Sequence, residues 1–401
     1  MAVRHGYGKV AGADALTFAY DTGDIRNSYK GEPTTNLIPS GVAFCHSTGQ
    51  GAAATVEDAP EKGPGWKKVT ITARGTNFRI IQWTYLSMTA NTLYCHSIVF
   101  DWGNMRGKNY FIYFDGDGTG TRAYYRPGDY VNTGGTNIDS SMPDGKFAGT
   151  ITHTGNHAHA FFIGNYTLNQ SGLNDYFYYK EYQAEVNSHP TQYTGGTRSA
   201  TQALLDLTGN SEITLNSVSF DSNAQMLFDG TDDSIGYAYV GISNYSQPFT
   251  MECVFIVDPA ATWDNGYRSN IFGIAGSYAG MYGLNKHSGD SVGLYVRDAS
   301  GGGAADVGGL SKGVYYHLVG TWDGTDDIRI YLNGSLRNTA TSAKSGAPDT
   351  TSIWLGGTRA YSGTSGQVYH GEIPVAKYYN RALTAIEVRN NFNLYKGRFN
   401  M

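Results

Sequence analysis

Hydrophobic and polar residues alternate along much of this chain with the two-residue period that is typical of β-strands. In one segment Ile328, Ile330 and Leu332 share a face. The turn dipeptides Asp323-Gly324 and Asn333-Gly334 enclose that segment. Similar patterns predict further strands at residues 226–230, 249–257, 291–296, 315–322, 352–356 and 371–378. Short strands separated by tight turns predict a two-sheet antiparallel sandwich for the second half of the chain.

The first half of the chain shows the same kind of pattern and predicts a second jelly-roll sandwich. Its strands are predicted at residues 93–102, 110–115, 121–125, 146–153, 158–164 and 176–186. Near the N-terminus, Leu16, Phe18 and Tyr20 share one face of a further predicted strand. The segment before Asp14 lacks a core pattern, so we expect an N-terminal arm that becomes ordered only against a neighbouring molecule.

One helix is predicted, close to the C-terminus. Thr384 and Glu387 have the spacing of a capping box, in which each side chain bonds to the other residue's backbone amide. The apolar and aromatic residues that can lie along one side of this helix are Ile386, Val388, Phe392 and Tyr395. We expect the helix to pack on the edge of the second sandwich.

The composition fits an all-β protein and excludes several classes of function. The chain of 401 residues contains 53 Gly and 31 Tyr, and charged residues make up only 16%. The net charge of -5 is spread without a basic run, so nucleic-acid binding is not expected. We also expect neither membrane insertion nor secretion, since no long apolar stretch and no leader pattern is present. The scattered Cys45, Cys95 and Cys253 favour buried thiols over a disulfide or a metal site.

Residues 317–334 and 377–388 resemble the last third of a laminin G-like, concanavalin A-type jelly roll. Residues 204–210 and 390–399 are in addition similar to segments of tailed-bacteriophage virion proteins that carry such a domain. In that family an opening strand like residues 14–21 runs directly into a segment like 204–210. The resemblance therefore implies that a separate sandwich is inserted between these two segments in this chain.

The predicted fold is all-β, with two antiparallel jelly-roll sandwiches, the first inserted into the second, and a short C-terminal helix. Residues 1–35 would supply the N-terminal arm and the first strand of the C-terminal sandwich. Residues 36–196 would form the inserted, carbohydrate-module-like jelly roll, and residues 197–401 the laminin G-like, concanavalin A-like one. Sandwich termini lie close together, so an insertion of this kind is tolerated.

The resemblance implies a non-enzymatic protein on the surface of a phage virion, made in the host cytoplasm. We expect a capsid decoration protein or a fibre or tip protein, with capsid or tail proteins as partners and a homotrimer as the assembly. The alternative is a carbohydrate-binding adhesion protein of a tail or head fibre that attaches to host surface polysaccharide. The function requires no cofactor, and calcium remains an alternative at the acidic turns.

A glycosidase is the third alternative, because some glycosidases share this fold, but the distribution of acids disfavours it. Glycosidases need two carboxyl groups that flank the scissile bond. Glu252, Glu372 and Glu387 are the only glutamates after residue 212, and none has an acidic partner two or four positions away. Glu181 and Glu185 are four apart, but we expect their strand register to place them on a solvated face. The chain is therefore not expected to be an enzyme.

Two kinds of side chain carry a chemical signal: aromatic rings that can stack on sugars, and side chains that can bind a metal. We expect sugar stacking at Trp66, Trp102, Tyr124 and Tyr178. The candidate metal ligands are Asp115, Asp117, His157 and His159. The repeated Asp-Gly-Thr-Asp-Asp motifs at 229–233 and 323–327 are either calcium loops or ordinary turns. For the rings the competing interpretation is subunit contact, and for the histidines it is a polar strand face.

Overall fold

The computed structural model describes residues 4–5, 8–38, 53–73, 79–82, 86–105, 110–115, 123–126, 129–130, 144–152, 157–165, 173–221, 225–238, 242–261, 269–274, 282–286, 289–348, 352–357 and 369–401. The chain divides into two compact units. The split unit comprises Met1–Pro33 and Ser199–Met401, and the inserted unit comprises Thr34–Arg198. Where it is described, the chain is almost entirely β-strand, with one α-helix. The predicted all-β fold class, with one sandwich inserted into another and a short C-terminal helix, is confirmed.

The elements follow in chain order. The first strands are β1 (Arg4–His5), β2 (Gly8–Lys9) and β3 (Leu16–Asp21). The inserted unit contains β4 (Thr34–Thr35), β5 (Ala53–Asp58), β6 (Lys67–Ala73), β7 (Arg79–Gln82), β8 (Leu86–Met88), β9 (Leu93–Asp101), β10 (Tyr110–Asp115), β11 (Ala123–Arg126), β12 (Asp129–Tyr130), β13 (Gly145–Thr152), β14 (His157–Asn165), β15 (Tyr176–Val186) and β16 (Thr197–Arg198). The split unit resumes with β17 (Ile213–Asn216), β18 (Ser219–Phe220), β19 (Met226–Asp229), β20 (Ser234–Ala238), β21 (Phe249–Val257), β22 (Ser269–Ile274), β23 (Tyr282–Lys286), β24 (Val292–Asp298), β25 (Gly301–Val307), β26 (Tyr315–Trp322), β27 (Asp327–Leu332), β28 (Ser335–Thr341), β29 (Ser352–Leu355), β30 (His370–Tyr379) and helix α1 (Ala385–Tyr395).

The split unit is a sandwich of two antiparallel sheets. One has the order β17-β20-β29-β22-β23-β24-β25, and the other β18-β19-β30-β21-β26-β27-β28 with β3 added on β30. Alternate residues of the central strand β21, such as Phe249, Met251 and Cys253, are fully buried in the core between the sheets. On β3, Phe18 and Tyr20 are fully buried in the same core, opposite Tyr378 and Ala376 of β30.

Part of the N-terminal segment, which was expected to become ordered only against a neighbouring molecule, is held within the chain itself. β1 and β2 pair with each other, and from Val10 onward the chain packs on the split unit. Val10 is buried, and the backbone N–H of Ala11 donates to Asn391 Oδ1 at 2.8 Å. The segment is held because Asn391, on α1, satisfies a backbone group that would otherwise be left without a partner.

Helix α1 begins with the predicted capping box. Thr384 Oγ1 accepts from the backbone N–H of Glu387 at 3.3 Å, and Glu387 Oε2 accepts from the N–H of Thr384 at 2.9 Å. The buried face consists of Val388, Asn391 and Tyr395. The expectation that Ile386 shares this face is wrong, since its side chain is 73% exposed. Two residues before Val388, Ile386 points to the opposite side of a helix with 3.6 residues per turn.

The Glu387 carboxylate predicts a pH dependence of stability. Its hydrogen bonds with Arg381, at 2.9 and 2.5 Å, lower its pKa from 4.5 to about 2. A carboxylate with a depressed pKa stabilises the fold above its unfolded pKa, and this contribution is lost as the pH falls through the folded pKa. Glu387→Gln should cost about 1 kcal/mol at pH 7. In urea unfolding, the difference from wild type should shrink below pH 4.5 and vanish near pH 2. Arg381→Gln should give the same profile; a difference that persists at pH 2 would contradict this assignment.

The inserted unit contains two further antiparallel sheets, β13-β9-β15-β6-β5 and β12-β11-β10-β14-β7, with β8 pairing on β14. The first of these sheets is the better described. Its core side carries the fully buried residues Val69, Ile71, Ile98, Phe100 and Phe177. Because side chains alternate along a strand, the neighbouring positions of β6, β9 and β15 lie on the outer face.

Two of the three cysteines are fully buried, as predicted, Cys95 in the inserted unit and Cys253 in the split unit. Cys45 lies outside the described residues.

Candidate functional site

Three half-buried aromatic rings lie on the outer face of the five-stranded sheet in the inserted unit. Tyr176 and Tyr178 alternate with the core residue Phe177 on β15, and Trp66 directly precedes β6. The two tyrosine rings contact each other edge to face, with centroids 5.6 Å apart. Tyr176 rests against Gly103, where a Cβ would come within 2.7 Å of the ring. We call Trp66, Tyr176 and Tyr178 the aromatic face.

Each ring of the aromatic face is paired with one lysine. The ammonium of Lys68 lies 4.7 Å from the centre of the Tyr176 ring, and that of Lys62 lies 5.0 Å from the centre of the Tyr178 ring. Lys180 lies 5.5 Å from the centre of the Trp66 ring. These distances are those of cation–π contacts, which orient the lysines and the rings relative to each other.

Carboxylates lie in the same rows of the sheet as the rings. The register places Glu57 opposite Lys68, Lys68 opposite Tyr178, and Tyr178 opposite Asp101, so the four side chains share one face across four strands. Asp101 accepts a hydrogen bond from Lys62, and this bond raises the pKa of the Lys62 ammonium. Burial raises the pKa of Tyr178. At neutral pH the face therefore presents aromatic rings, a neutral phenol, ammonium donors and carboxylate acceptors side by side.

The structure brings two of the four predicted sugar-stacking residues together, Trp66 and Tyr178. The prediction for Trp102 is wrong: it has no exposed surface, and its ring stacks on Phe100 with centroids 5.1 Å apart. Tyr124 belongs to β11 of the other sheet, and its side chain lies outside the described residues. Tyr176 was missed, although its position two residues before Tyr178 on the same strand would have indicated it.

Near the end of β15, around Glu185, other parts of the chain cover the outer face of the sheet. This carboxylate is fully buried and accepts hydrogen bonds from Gln183 Nε2 at 2.9 Å, Thr34 Oγ1 at 2.7 Å and Thr191 Oγ1 at 2.8 Å. The prediction of a solvated Glu185 is therefore wrong, because the segment that follows β15 folds back over it. With its acceptors satisfied and no solvent access, Glu185 is a structural group.

The predicted metal ligands of the inserted unit lie in two adjacent strands. Asp115 is the last residue of β10, and His157 and His159 lie near the start of β14, which pairs with β10. The side chains of all three, and Asp117 entirely, lie outside the described residues.

The two repeated acidic turns of the split unit differ from each other. Asp323 Oδ1 accepts the backbone N–H groups of Thr325, Asp326 and Asp327, which is ordinary turn chemistry. At the first turn the carboxylates of Asp229, Asp232 and Asp233 come within 4.8 Å of one another. Burial raises the pKa of Asp233. Three carboxylates are a partial set of the oxygen ligands that calcium prefers.

The split unit also contains a charged cluster without solvent access. Glu252, His317 and Lys377 are all fully buried. The Glu252 carboxylate lies 2.8 Å from Lys377 Nζ and 3.2 Å from His317 Nε2. Because no substrate reaches this carboxylate, its position indicates a structural role.

Among the residues that the structure describes, no helix is long and apolar enough to cross a membrane.

One family model matches part of the split unit. Residues 229–389 match the family model of the concanavalin A-like lectin/glucanases superfamily. Among solved structures, the botulinum neurotoxin serotype G binding domain is similar at 15% identity and a TM-score of 0.40, covering 49% of each chain. The serotype D binding domain is similar at 12% identity and a TM-score of 0.39, again over 49% of each chain. The match thus spans about half the length of these structures. No curated protein sequence matches the chain.

Proposed function

We propose that this protein, which carries a concanavalin A-like, laminin G-like jelly-roll domain of the lectin type, is a non-enzymatic attachment protein on the surface of a phage virion. It binds carbohydrate on the host surface through the aromatic face of its inserted unit. The observation that carries the proposal is the set of three half-buried rings on one sheet face, each beside an ammonium group. The resemblance to tailed-bacteriophage virion proteins supports assembly with capsid or tail proteins, as a homotrimer made in the host cytoplasm.

The chemistry of the aromatic face suits a sugar. The C–H face of a pyranose is apolar and stacks on a ring, while its hydroxyl groups need hydrogen-bond partners around the edge. Asp101 and Glu57 supply acceptors, and Lys62 and Lys68 supply donors. Apolar platforms with a few convergent polar groups are typical of ligand sites.

The distance between the two carboxylates in this row of the sheet argues against glycoside hydrolysis. Glu57 and Asp101 lie three strand spacings apart, with Lys68 and Tyr178 between them. Three spacings amount to roughly 14 Å. Hydrolysis needs two carboxyl groups about 5–9.5 Å apart. These two carboxylates therefore suit binding better than catalysis.

Tyr178→Ala tests the proposal on a glycan array. We expect the substitution to weaken glycan binding about 30-fold, which corresponds to the loss of about 2 kcal/mol at a central aromatic anchor. Tyr193→Ala removes an exposed tyrosine from the same unit, outside the aromatic face, and should leave binding unchanged. Equal melting temperatures of the two variants would show that folding is not the cause. Binding that survives Tyr178→Ala would overturn the proposed site.

The position on the virion is tested separately by counting copies of the chain per particle with quantitative mass spectrometry. A handful of copies supports a tail or fibre attachment protein. A number on the order of the capsid subunits would instead support a decoration protein, whose aromatic face contacts the capsid.

A further inference from the structure

The described residues of the aromatic face leave no positive charge uncompensated. The three lysines that lie over its rings each have a carboxylate partner: Lys62 pairs with Asp101, Lys68 lies 3.9 Å from Glu57, and Lys180 lies 2.8 Å from Glu181. The carboxylate of Glu61 lies beside the hydroxyl of Tyr178, so these three ammonium groups face four carboxylates among the described residues of this surface. At neutral pH every ammonium charge is therefore compensated, and a small excess of negative charge remains.

This distribution of charge determines which kind of glycan the face can hold. An acidic polysaccharide needs ammonium or guanidinium groups whose charge is not already compensated. Here each ammonium group is engaged twice, by a ring and by a carboxylate. An incoming anionic sugar would also be repelled by the carboxylates of Glu57 and Glu181, which are exposed, and by that of Asp101, which is partly buried. An uncharged sugar needs no uncompensated ammonium group and is not repelled by the carboxylates. Its hydroxyl groups can accept hydrogen bonds from the ammonium group of an ion pair and donate them to the carboxylate.

The positions of the rings also define how far the aromatic face extends along the strand. Tyr176 and Tyr178 occupy successive outward positions on β15, and Lys180, the partner of Trp66, occupies the next. Two steps of two residues extend roughly 13 Å along the strand. An extended surface of this kind accommodates a run of several sugar rings rather than a single terminal residue.

We propose that the aromatic face binds an internal run of an uncharged polysaccharide. This inference rests on the proposed function, since it names the class of glycan taken by the same site. Ring stacking and shared hydrogen bonds, rather than long-range attraction, hold the chain. Binding is therefore expected to be insensitive to salt, because an uncharged polysaccharide offers no charge whose attraction salt could screen.

Affinity electrophoresis of the full chain tests this inference. The gels contain either an uncharged polymer (dextran, mannan or galactan) or an anionic one (hyaluronate, alginate or polysialate). We expect retardation by at least one uncharged polymer, with affinity constant within about twofold between about 50 and 500 mM NaCl. The double variant Glu57→Gln/Asp101→Asn releases Lys62 and Lys68 from their partners. We expect this variant to gain salt-sensitive binding to the anionic polymers.

Each outcome decides a different question. Preferential, salt-sensitive retardation of the wild-type protein by an anionic polymer, lost in Tyr178→Ala, would overturn the uncharged class and leave the proposed function intact. Retardation by no polymer of either class would overturn both. An uncharged ligand that binds equally well to the monosaccharide and to the long chain would overturn the extended site.

Discussion

Glu252→Gln is expected to lower the free energy of unfolding of the split unit by about 3–5 kcal/mol, the cost of breaking a buried ion pair from one side. Both Glu252 and Lys377 have side chains without solvent exposure, and their charged atoms lie 2.8 Å apart. Burial alone would raise the pKa of Glu252, but Lys377 and His317 outweigh it and hold the pKa well below its usual range. Without the carboxylate, the ammonium of Lys377 would remain buried and uncompensated.

The effect is expected to be large because the same carboxylate joins three parts of the chain. Its second oxygen, Oε2, accepts from Tyr379 OH and from Asn391 Nδ2, each at 2.8 Å. Asn391 belongs to α1, and its Oδ1 accepts the N–H of Ala11 in the N-terminal segment. Loss of Glu252 therefore loosens the helix and the N-terminal segment together with the sheet. Buried networks of this kind are stabilising only while every member has its partner.

Urea unfolding at pH 7 measures the difference, with Glu212→Gln as the matched control. Glu212 is exposed in the same unit, so its replacement should stay within about 0.5 kcal/mol of wild type. The double variant Glu252→Leu/Lys377→Met should recover part of the loss, because two apolar side chains leave no unpaired charge. If Glu252→Gln were as stable as Glu212→Gln, the carboxylate would not be the centre of this network.

The fold could be predicted from local patterns, because the alternation of apolar and polar residues in strands and the turn signals depend only on residues close in sequence. The capping box of Thr384 and Glu387 and the strand with Leu16, Phe18 and Tyr20 are examples. The alternation of side chains along a strand also predicts that Trp102 is buried in the core, because it follows Ile98 by four positions and Phe100 by two.

The composition of the candidate site could not be predicted, because it depends on strand order. Lys62, Lys68 and Asp101 meet Tyr178 only through the order β9-β15-β6 and its register, which pairs residues far apart in sequence. The environment of Glu185 depends on an irregularity of the strand. The register of β15 against β9 shifts between Lys180 and Gln183, and the chain then folds back over the strand end. Such bulges have no clear signal in the hydrophobic pattern.

Removal of residues 34–198 is expected to leave a split unit that folds, whereas the further removal of residues 1–22 from this shortened chain is expected to abolish its folding. Thr34 and Arg198 are paired directly across β4 and β16, so the ends of the inserted unit lie roughly 5 Å apart. Two glycines can join Pro33 to Ser199 across that distance. Within the split unit, the two segments that flank this junction are hydrogen-bonded to each other. Lys30 N–H donates to Ala203 O and Leu205 N–H donates to Ser28 O, both at 2.8 Å.

Removal of residues 1–22 takes away β3 and with it part of the core. Phe18 and Tyr20 are fully buried, and the loss of each large buried side chain costs about 3–5 kcal/mol. Their sum approaches or exceeds the total stability of a typical domain, about 5–15 kcal/mol. Near-ultraviolet circular dichroism and a single cooperative urea transition would report folding of each protein. A folded product after the further removal of residues 1–22 would show that β3 is dispensable to the split unit. An unfolded product after removal of residues 34–198 would show that the inserted unit is required for its stability.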